Sequence, residues 1–287
     1  MMADDFASRL KAHRLSEQKR KEAQSIPFLS DELITSAVPH SMSDFKQPRL
    51  QRCPFDLGTI DLNRLEMLDG GLDGYNWKIF FSDQSSPYVL KIFWDTKPLE
   101  IESYFAAQRE CQNNAILRML EAALEEKSPI FVNAKPRTKQ DAVDNTLAFA
   151  SDGNQIFGGN TTPISSIPRM RKCFGWLKID GHTIYSWPRK LHPKPYNDHK
   201  LGHRGIIHDE QHIAIIYEYV EEGENDRAVV DEVAKFLWLT GFHFIVDTSA
   251  RNWKSGVLLD LSDIVHVTGY WWRRPWYILR PASRILS

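Results

Sequence analysis

Apolar and polar residues along the chain change period several times, and each change marks an element. Three short runs within residues 62–94 carry LNRLEMLDG, YNWKIFF and YVLKIFW, separated by turn residues at 70–74 and 82–87. Aromatic and β-branched residues bounded by Gly, Asp, Ser and Pro predict three strands. Helical spacing takes over within residues 98–127, where Ala115, Ile116, Met119, Leu120 and Ala123 fall on one face after an initial loop. Residues 133–168 are rich in Asn, Asp, Gly, Ser, Thr and Pro and predict mostly loop, with a short helix over 139–149. Residues 169–187 predict a hairpin turning at Asp180-Gly181. Residues 188–212 are irregular and contain five histidines. IAIIYEYV at 213–220 predicts a buried strand. DEVAKFLWLTG at 231–241 predicts a helix, with Asp231 near its start and Gly241 past its end. Residues 1–25 are polar and predict a leading helix, and residues 26–54 predict a linker wrapped on a domain.

Candidate chemistry concentrates in FIVDTSARNWKSGVLLDLSD, residues 244–263. One apolar run ends in Asp247, Asn252 follows five residues later, and the apolar run Val257-Leu258-Leu259 ends in Asp260. Polar groups at the ends of apolar strands are held rigidly at a rim. Asp and Asn oxygens suit Mg²⁺ bound together with phosphates, and an Asp can also accept a hydroxyl proton.

Upstream, Lys91 lies between apolar neighbours on the third strand, and Glu110 follows 19 residues later (110 − 91) near the start of the helix. A glycine turn, Gly70-Gly71-Leu72-Asp73-Gly74, joins the first two strands. In this order the pieces resemble a protein kinase. The matching features are a glycine turn over the ATP phosphates, a strand lysine in a V-A-I-K-like setting, a helix glutamate, a hinge strand, D-x-x-x-x-N and a metal-binding Asp. The resemblance covers roughly residues 62–263. It implies an α+β, protein-kinase-like fold with an antiparallel N-lobe sheet, one helix, a hinge and a truncated C-lobe. Residues 1–54 would be an N-terminal extension, 55–220 the N-lobe with insertions at 133–168 and 188–212, and 221–287 the reduced C-lobe with a Trp/Arg-rich tail.

By the same resemblance, Gly70, Gly71, Gly74 and Lys91 would bind the phosphates of ATP, and Glu218 and Val220 would meet adenine at the hinge. Lys91, Glu110 and Asp247 would be catalytic, with Asn252 and Asp260 on Mg²⁺. The departures are specific. The turn reads G-G-x-x-G, and Asp73 within it repels phosphate; Ile245 and Val246 precede Asp247; only 27 residues follow Asp260 (287 − 260). The pieces VLKIFW, RECQN, CFGWLKI and AIIYEYV look more narrowly like the fungal kinase-like proteins grouped with the kinetochore subunit Fta-two.

Composition adds limits. With 42% apolar and 25% charged residues the chain reads as an ordinary folded protein, and a net charge of −1 gives no pull toward nucleic acid or membrane. Cys53, Cys111 and Cys173 lack CxxC spacing, which argues against a disulfide framework and fits an intracellular setting, nucleus or cytoplasm. No apolar stretch is long enough to span a bilayer, and the first residues lack a secretory core. His208 and His212 stand four apart, but Glu210 is one place late for the H-E-x-x-H order of zincins, so the pair reads as loop. Four of the nine tryptophans fall in the last 35 residues, among Arg273, Arg274, Arg280 and Arg284, a composition suited to a protein partner. Two functions follow: a pseudokinase-like binding scaffold, or a phosphotransferase using ATP and Mg²⁺ on a protein or small-molecule hydroxyl. In a third reading the domain is an unrelated α+β fold in which Asp247 and Asn252 cap a turn.

Overall fold

A computed structural model describes residues 2–99, 104–153, 159–199, 202–245 and 250–287. The fold is α+β, built on one mixed sheet of seven strands. In chain order these are β1 (Leu29–Leu33), β2 (Leu50–Arg52), β3 (Glu66–Gly70), β4 (Gly74–Ile79), β5 (Tyr88–Phe93), β6 (Cys173–Asp180) and β7 (Gln211–Glu218). Their spatial order is β1-β2-β6-β7-β5-β4-β3. The run from β6 to β3 is antiparallel throughout, while β1 and β2 join the β6 edge in parallel. The longer helices are α1 (Met2–Gln24), α2 (Ala106–Lys127), α3 (Lys139–Leu147) and α4 (Arg227–Leu239).

Both faces of the central strands are covered, which is why β5 and β7 are apolar along nearly their whole length. On one face Val89, Phe93, Ile213, Ile215 and Tyr217 pack against Ala106, Ala107, Cys111 and Ala115 of α2. On the other, Leu90, Ile92, Ala214 and Ile216 pack with Trp77 beneath Ile184, Trp187, Leu191 and Ile206. The histidine-rich insertion is therefore a lid over the second face, and the Trp77 indole donates to the Leu191 carbonyl at 3.1 Å. His212 is fully buried there. Its Nε2 accepts from the Ile207 amide at 3.0 Å and its Nδ1 lies 3.0 Å from the Phe93 carbonyl. A third core lies between the far side of α2, α4 and the chain after residue 241.

Three sequence expectations change. The segment at 26–54 is more than a linker, because it contributes β1 and β2 to the sheet. The hairpin expected at Asp180-Gly181 is instead a strand followed by the short helix Gly181–Ser186. Here glycine answers a close approach rather than a hairpin turn: a Cβ at 181 would lie 2.0 Å from the Ile207 carbonyl oxygen. The tail also packs inward more than its composition implies. Trp272 and Tyr277 are buried, the Trp272 indole donates to Gly241 at 3.2 Å, and the Tyr277 hydroxyl donates to Trp238 at 2.7 Å. Only Trp276, Ile278 and Leu279 of its large apolar side chains stay substantially exposed. Among the described residues no helix is long and apolar enough to cross a membrane.

Gly175 governs the junction between the N-terminal strands and the sheet. It sits at φ +105°, and a Cβ there would come within 2.7 Å of both the Cys53 amide and the Gln51 carbonyl. Gly175→Ala is expected to cost roughly 2 kcal/mol or more, from the positive φ and the backbone clash together. Urea denaturation checks this, and an unchanged midpoint would mean that β2 is not seated on β6.

Candidate functional site

The Lys91 site is assembled by period-two alternation on β5. Val89, Lys91 and Phe93 point to the face under α2, so Lys91 enters the interior rather than solvent. It meets Glu110, one turn into α2. Lys91 Nζ lies 2.6 Å from Glu110 Oε2 and 3.1 Å from Asp260 Oδ1. The Tyr217 hydroxyl of β7 donates to the other Glu110 oxygen at 2.7 Å, and the Asn114 amide donates to that hydroxyl at 2.6 Å. Glu110 is fully buried and every one of its oxygens is engaged.

Burial alone would lower the Lys91 ammonium, but Asp260, Glu110 and Asp73 more than offset it and hold it above the usual lysine range. Glu110 is drawn both ways. Burial pushes its carboxyl up to about 7 against the pull of Lys91. With an ammonium at 2.6 Å whose own affinity for its proton is raised, Glu110 is the ionised partner at neutral pH, and burial leaves it close to taking a proton. Burial would also raise the Asp260 carboxyl, yet Lys91 and the Ser262 hydroxyl and amide hold it below the carboxylate range.

Asp260 caps a single helical turn, Leu261–Asp263. Its Oδ1 takes Lys91, the Ser262 amide at 3.0 Å and the Ser262 hydroxyl at 2.7 Å. Asn252 does not reach Asp260 directly. Its amide donates to Asp263 Oδ2 at 2.6 Å, so Asp263, unremarked in the sequence, stands between the two expected metal ligands. Burial and the Asp260 charge push the Asp263 carboxyl up to about 6, against the hydrogen bond from Asn252. The only signal for it was the second acid in D-L-S-D. Asp247 lies outside the described residues.

The glycine turn folds down onto this group. Asp73 is buried; the Tyr104 hydroxyl lies 2.6 Å and 2.7 Å from its two oxygens, and the Ser262 hydroxyl lies 2.9 Å from Oδ2. Ser262 Oγ thus shares one proton between Asp73 and Asp260. The turn is also clamped from behind. Gly71 offers its carbonyl to the Trp94 indole at 2.9 Å, Leu72 to the Arg204 guanidinium, and Asp73 to the Trp94 amide at 3.1 Å. Arg204 is in turn paired with Asp95. At Gly74 a Cβ would lie 2.1 Å from the Ile92 carbonyl oxygen, and at Gly70 it would lie 2.4 Å from the Tyr75 ring. Two of the three glycines therefore serve close packing.

At the expected hinge, Glu218 is spent on the fold. Its amide donates to the Lys172 carbonyl at 3.0 Å, and its carboxylate takes Arg169 in a bidentate pair and the Lys172 amide at 2.6 Å. Arg171 stacks 4.3 Å from the centre of the Tyr217 ring and donates to the Leu259 carbonyl at 2.9 Å, tying β7 to the segment that carries Asp260. Val220 is buried beside this end of β7. Arg171, Tyr217, Tyr104 and Ser262 are further participants that spacing did not reveal, because each reaches the site through a contact between remote segments. Among the described residues no group of three or more His, Cys, Asp or Glu is arranged to hold a metal ion. His208, at the surface, stacks with the Tyr185 ring at 5.8 Å and its Nδ1 lies 2.6 Å from Asp209 Oδ1.

No family model matches the chain, and no curated protein or solved structure matches it either.

Two measurements probe the electrostatics. Lys91→Met leaves Glu110 buried without its cation and is expected to cost roughly 3–5 kcal/mol near pH 8. The loss shrinks toward pH 5.5, since an acid with a raised folded pKa stabilises the fold as it gains its proton. Urea titrations at both pH values test this. Asp263→Asn keeps an acceptor for Asn252 but removes a carboxylate raised to about 6. It is expected to stabilise the protein by about 1–2 kcal/mol at pH 7.5. That gain fades as pH falls through 6, where wild-type Asp263 becomes neutral. A constant gain across that range would reject the assignment.

Proposed function

We propose that this chain is a kinase-like binding scaffold whose phosphate-binding corner is closed by its own side chains. One observation carries the reading: Asp73, on the turn that would cover nucleotide phosphates, hydrogen-bonds through Ser262 to the neighbourhood of Asp260. A third carboxylate beside Asp260 opposes a polyphosphate by charge, and Lys91, the cation that would offset it, is already shared by Glu110 and Asp260. Engagement of the Glu218 amide with Lys172 supports the same reading, since an adenine ring would need free backbone groups at the hinge.

The kinase-like part of the reading rests on the order of elements. A glycine turn joins the first two strands of an antiparallel run, the third strand carries a lysine paired to a helix glutamate, and an Asp after a short hairpin closes on that lysine. The narrower likeness to fungal proteins grouped with the kinetochore subunit Fta-two accords with a scaffold. Its contact surface would include the exposed Trp276, Ile278 and Leu279 with the arginines around them.

One observation favours phosphotransfer instead. The Asp260 side chain stays 29% exposed, and among the described residues its contacts fall on Oδ1, so Oδ2 is the oxygen that would meet a cation. In that reading Asp260 and Asn252 would hold Mg²⁺, which would supply charge neutralisation for the phosphates, and Lys91 would position them. Swinging Asn252 off Asp263 and Asp73 off Ser262 would be required first.

Thermal unfolding with ATP and Mg²⁺ separates the two readings. At about 5 mM of each, the scaffold reading expects no Mg²⁺-dependent rise in melting temperature. A rise present in wild type and lost in Asp260→Asn would overturn it in favour of phosphotransfer.

A further inference from the structure

A second cavity, remote in composition from the acidic corner, lies between the C-terminal half of α1, one face of α2 and the chain at 265–271. Its volume is about 460 Å³, within the range of small-molecule sites. Lys19, Arg20, Lys46 and Arg109 line it, and among the described residues Glu22 is the one carboxylate there. Arg20 bonds Gln24 and the Leu99 carbonyl, whereas Lys19, Lys46 and Arg109 make no ion pair among the described residues. Arg109 is only 9% exposed, stacks 3.8 Å from the centre of the Tyr104 ring, and donates to the Ser262 carbonyl at 3.3 Å. Burial pushes its guanidinium down to about 10, while Tyr104, Asp73, Asp263 and Asp260 act on it the other way without forming an ion pair. A buried cation with one neutral hydrogen-bond acceptor is costly to a fold unless something else compensates it.

Two further features point to a missing acceptor. Gln24 lines the same cavity; its Oε1 accepts from Arg20 at 3.2 Å, while its buried Nε2 has no hydrogen-bond partner among the described residues. Trp271 and Tyr270 supply aromatic surface at the cavity wall. The cavity is built with care from the other side: Gln108 Nε2 donates to the Ala23 and Ile26 carbonyls, at 3.0 Å each, and the Tyr270 hydroxyl donates to Ser16 at 2.9 Å. These bonds hold α1 across the cavity although that helix is polar on nearly all sides and has little apolar area to bury.

We propose that this cavity is a binding site for a small phosphate-bearing ligand, with Lys19, Lys46 and Arg109 on the phosphate and Trp271 or Tyr270 against a flat organic portion. The site is separate from the Lys91 corner and does not depend on the reading of that corner. Its chemistry is that of charge-assisted hydrogen bonds to an anion combined with ring stacking. Because Arg109 immediately precedes Glu110 and touches Ser262, occupancy would also be felt at the Lys91 corner.

Isothermal titration of the full chain with pyrophosphate, AMP and adenosine tests the proposal. Pyrophosphate and AMP are expected to bind, AMP the more tightly, and adenosine at least about tenfold more weakly than AMP. Lys19→Glu and Lys46→Glu, both at exposed positions, are expected to weaken AMP about tenfold each or more. Arg109→Met should abolish binding, and the two lysine variants keep the test informative if that variant fails to fold. The proposal is overturned if neither phosphate compound binds at about 10 mM, if the lysine variants bind AMP like wild type, or if adenosine matches AMP.

Discussion

Lys91 sits almost without exposure between a fully buried carboxylate at 2.6 Å and a half-sheltered one at 3.1 Å, and most of the architecture can be traced to what that arrangement demands. An ammonium in the interior must be matched in charge and in hydrogen bonds, or its desolvation is not recovered. Glu110 supplies the charge only because α2 lies across the strand face that carries Lys91. Tyr217, whose hydroxyl accepts from Asn114, then satisfies the remaining carboxylate oxygen, which joins β7 to α2. Asp260 supplies the second charge only because the chain after α4 returns to the same corner. That return is held by Asn113, which donates to the Leu261 and Ile264 carbonyls at 2.8 Å, and by Arg171 on Leu259. Sheet, helix and C-terminal segment thus meet at one ion-pair network.

Around that network the protein places more acid than one lysine can neutralise. Asp73, Asp260 and Asp263 gather within hydrogen-bond reach of one another's partners, with Ser262, Tyr104 and Asn252 as the intervening donors. Sharing protons through neutral donors lowers the repulsion without adding cations. The residual strain shows as opposite shifts in adjacent acids, Asp260 held down and Asp263 pushed up. The basic cavity on the far side of Ser262 has the reverse imbalance, since Lys19, Lys46 and Arg109 make no ion pair there among the described residues.

Much of the site was legible in the chain because local rules place its parts. Alternation put Lys91 on one strand face, helical spacing put Glu110 at the start of α2, and the end of an apolar run put Asp260 at a rim. The strands at 66–70, 74–79 and 88–93, the helix at 106–127 and the strand at 211–218 all fall where periodicity expected them, because each buries a face that its own sequence marks. The helix at 139–147 likewise follows from local signals, with Thr138 and Asp141 forming a reciprocal cap.

Other features could be decided only by tertiary structure, since they arise where segments far apart in sequence compete for the same space or the same polar group. Gly181 reads as a hairpin turn, yet the Ile207 backbone occupies the place of its Cβ and the chain goes helical instead. Residues 29–33 and 50–52 carry too few apolar residues to announce strands; the open β6 edge recruits their backbone groups. Asp73 looked like a flaw in a phosphate loop until Tyr104 and Ser262, 31 and 189 residues away, were seen to bond it. Residue types and their spacing determined which charges enter the interior. Which charges meet there depended on long-range contacts, because a buried ionisable group is stable only with a partner that the fold, not the local sequence, brings within reach.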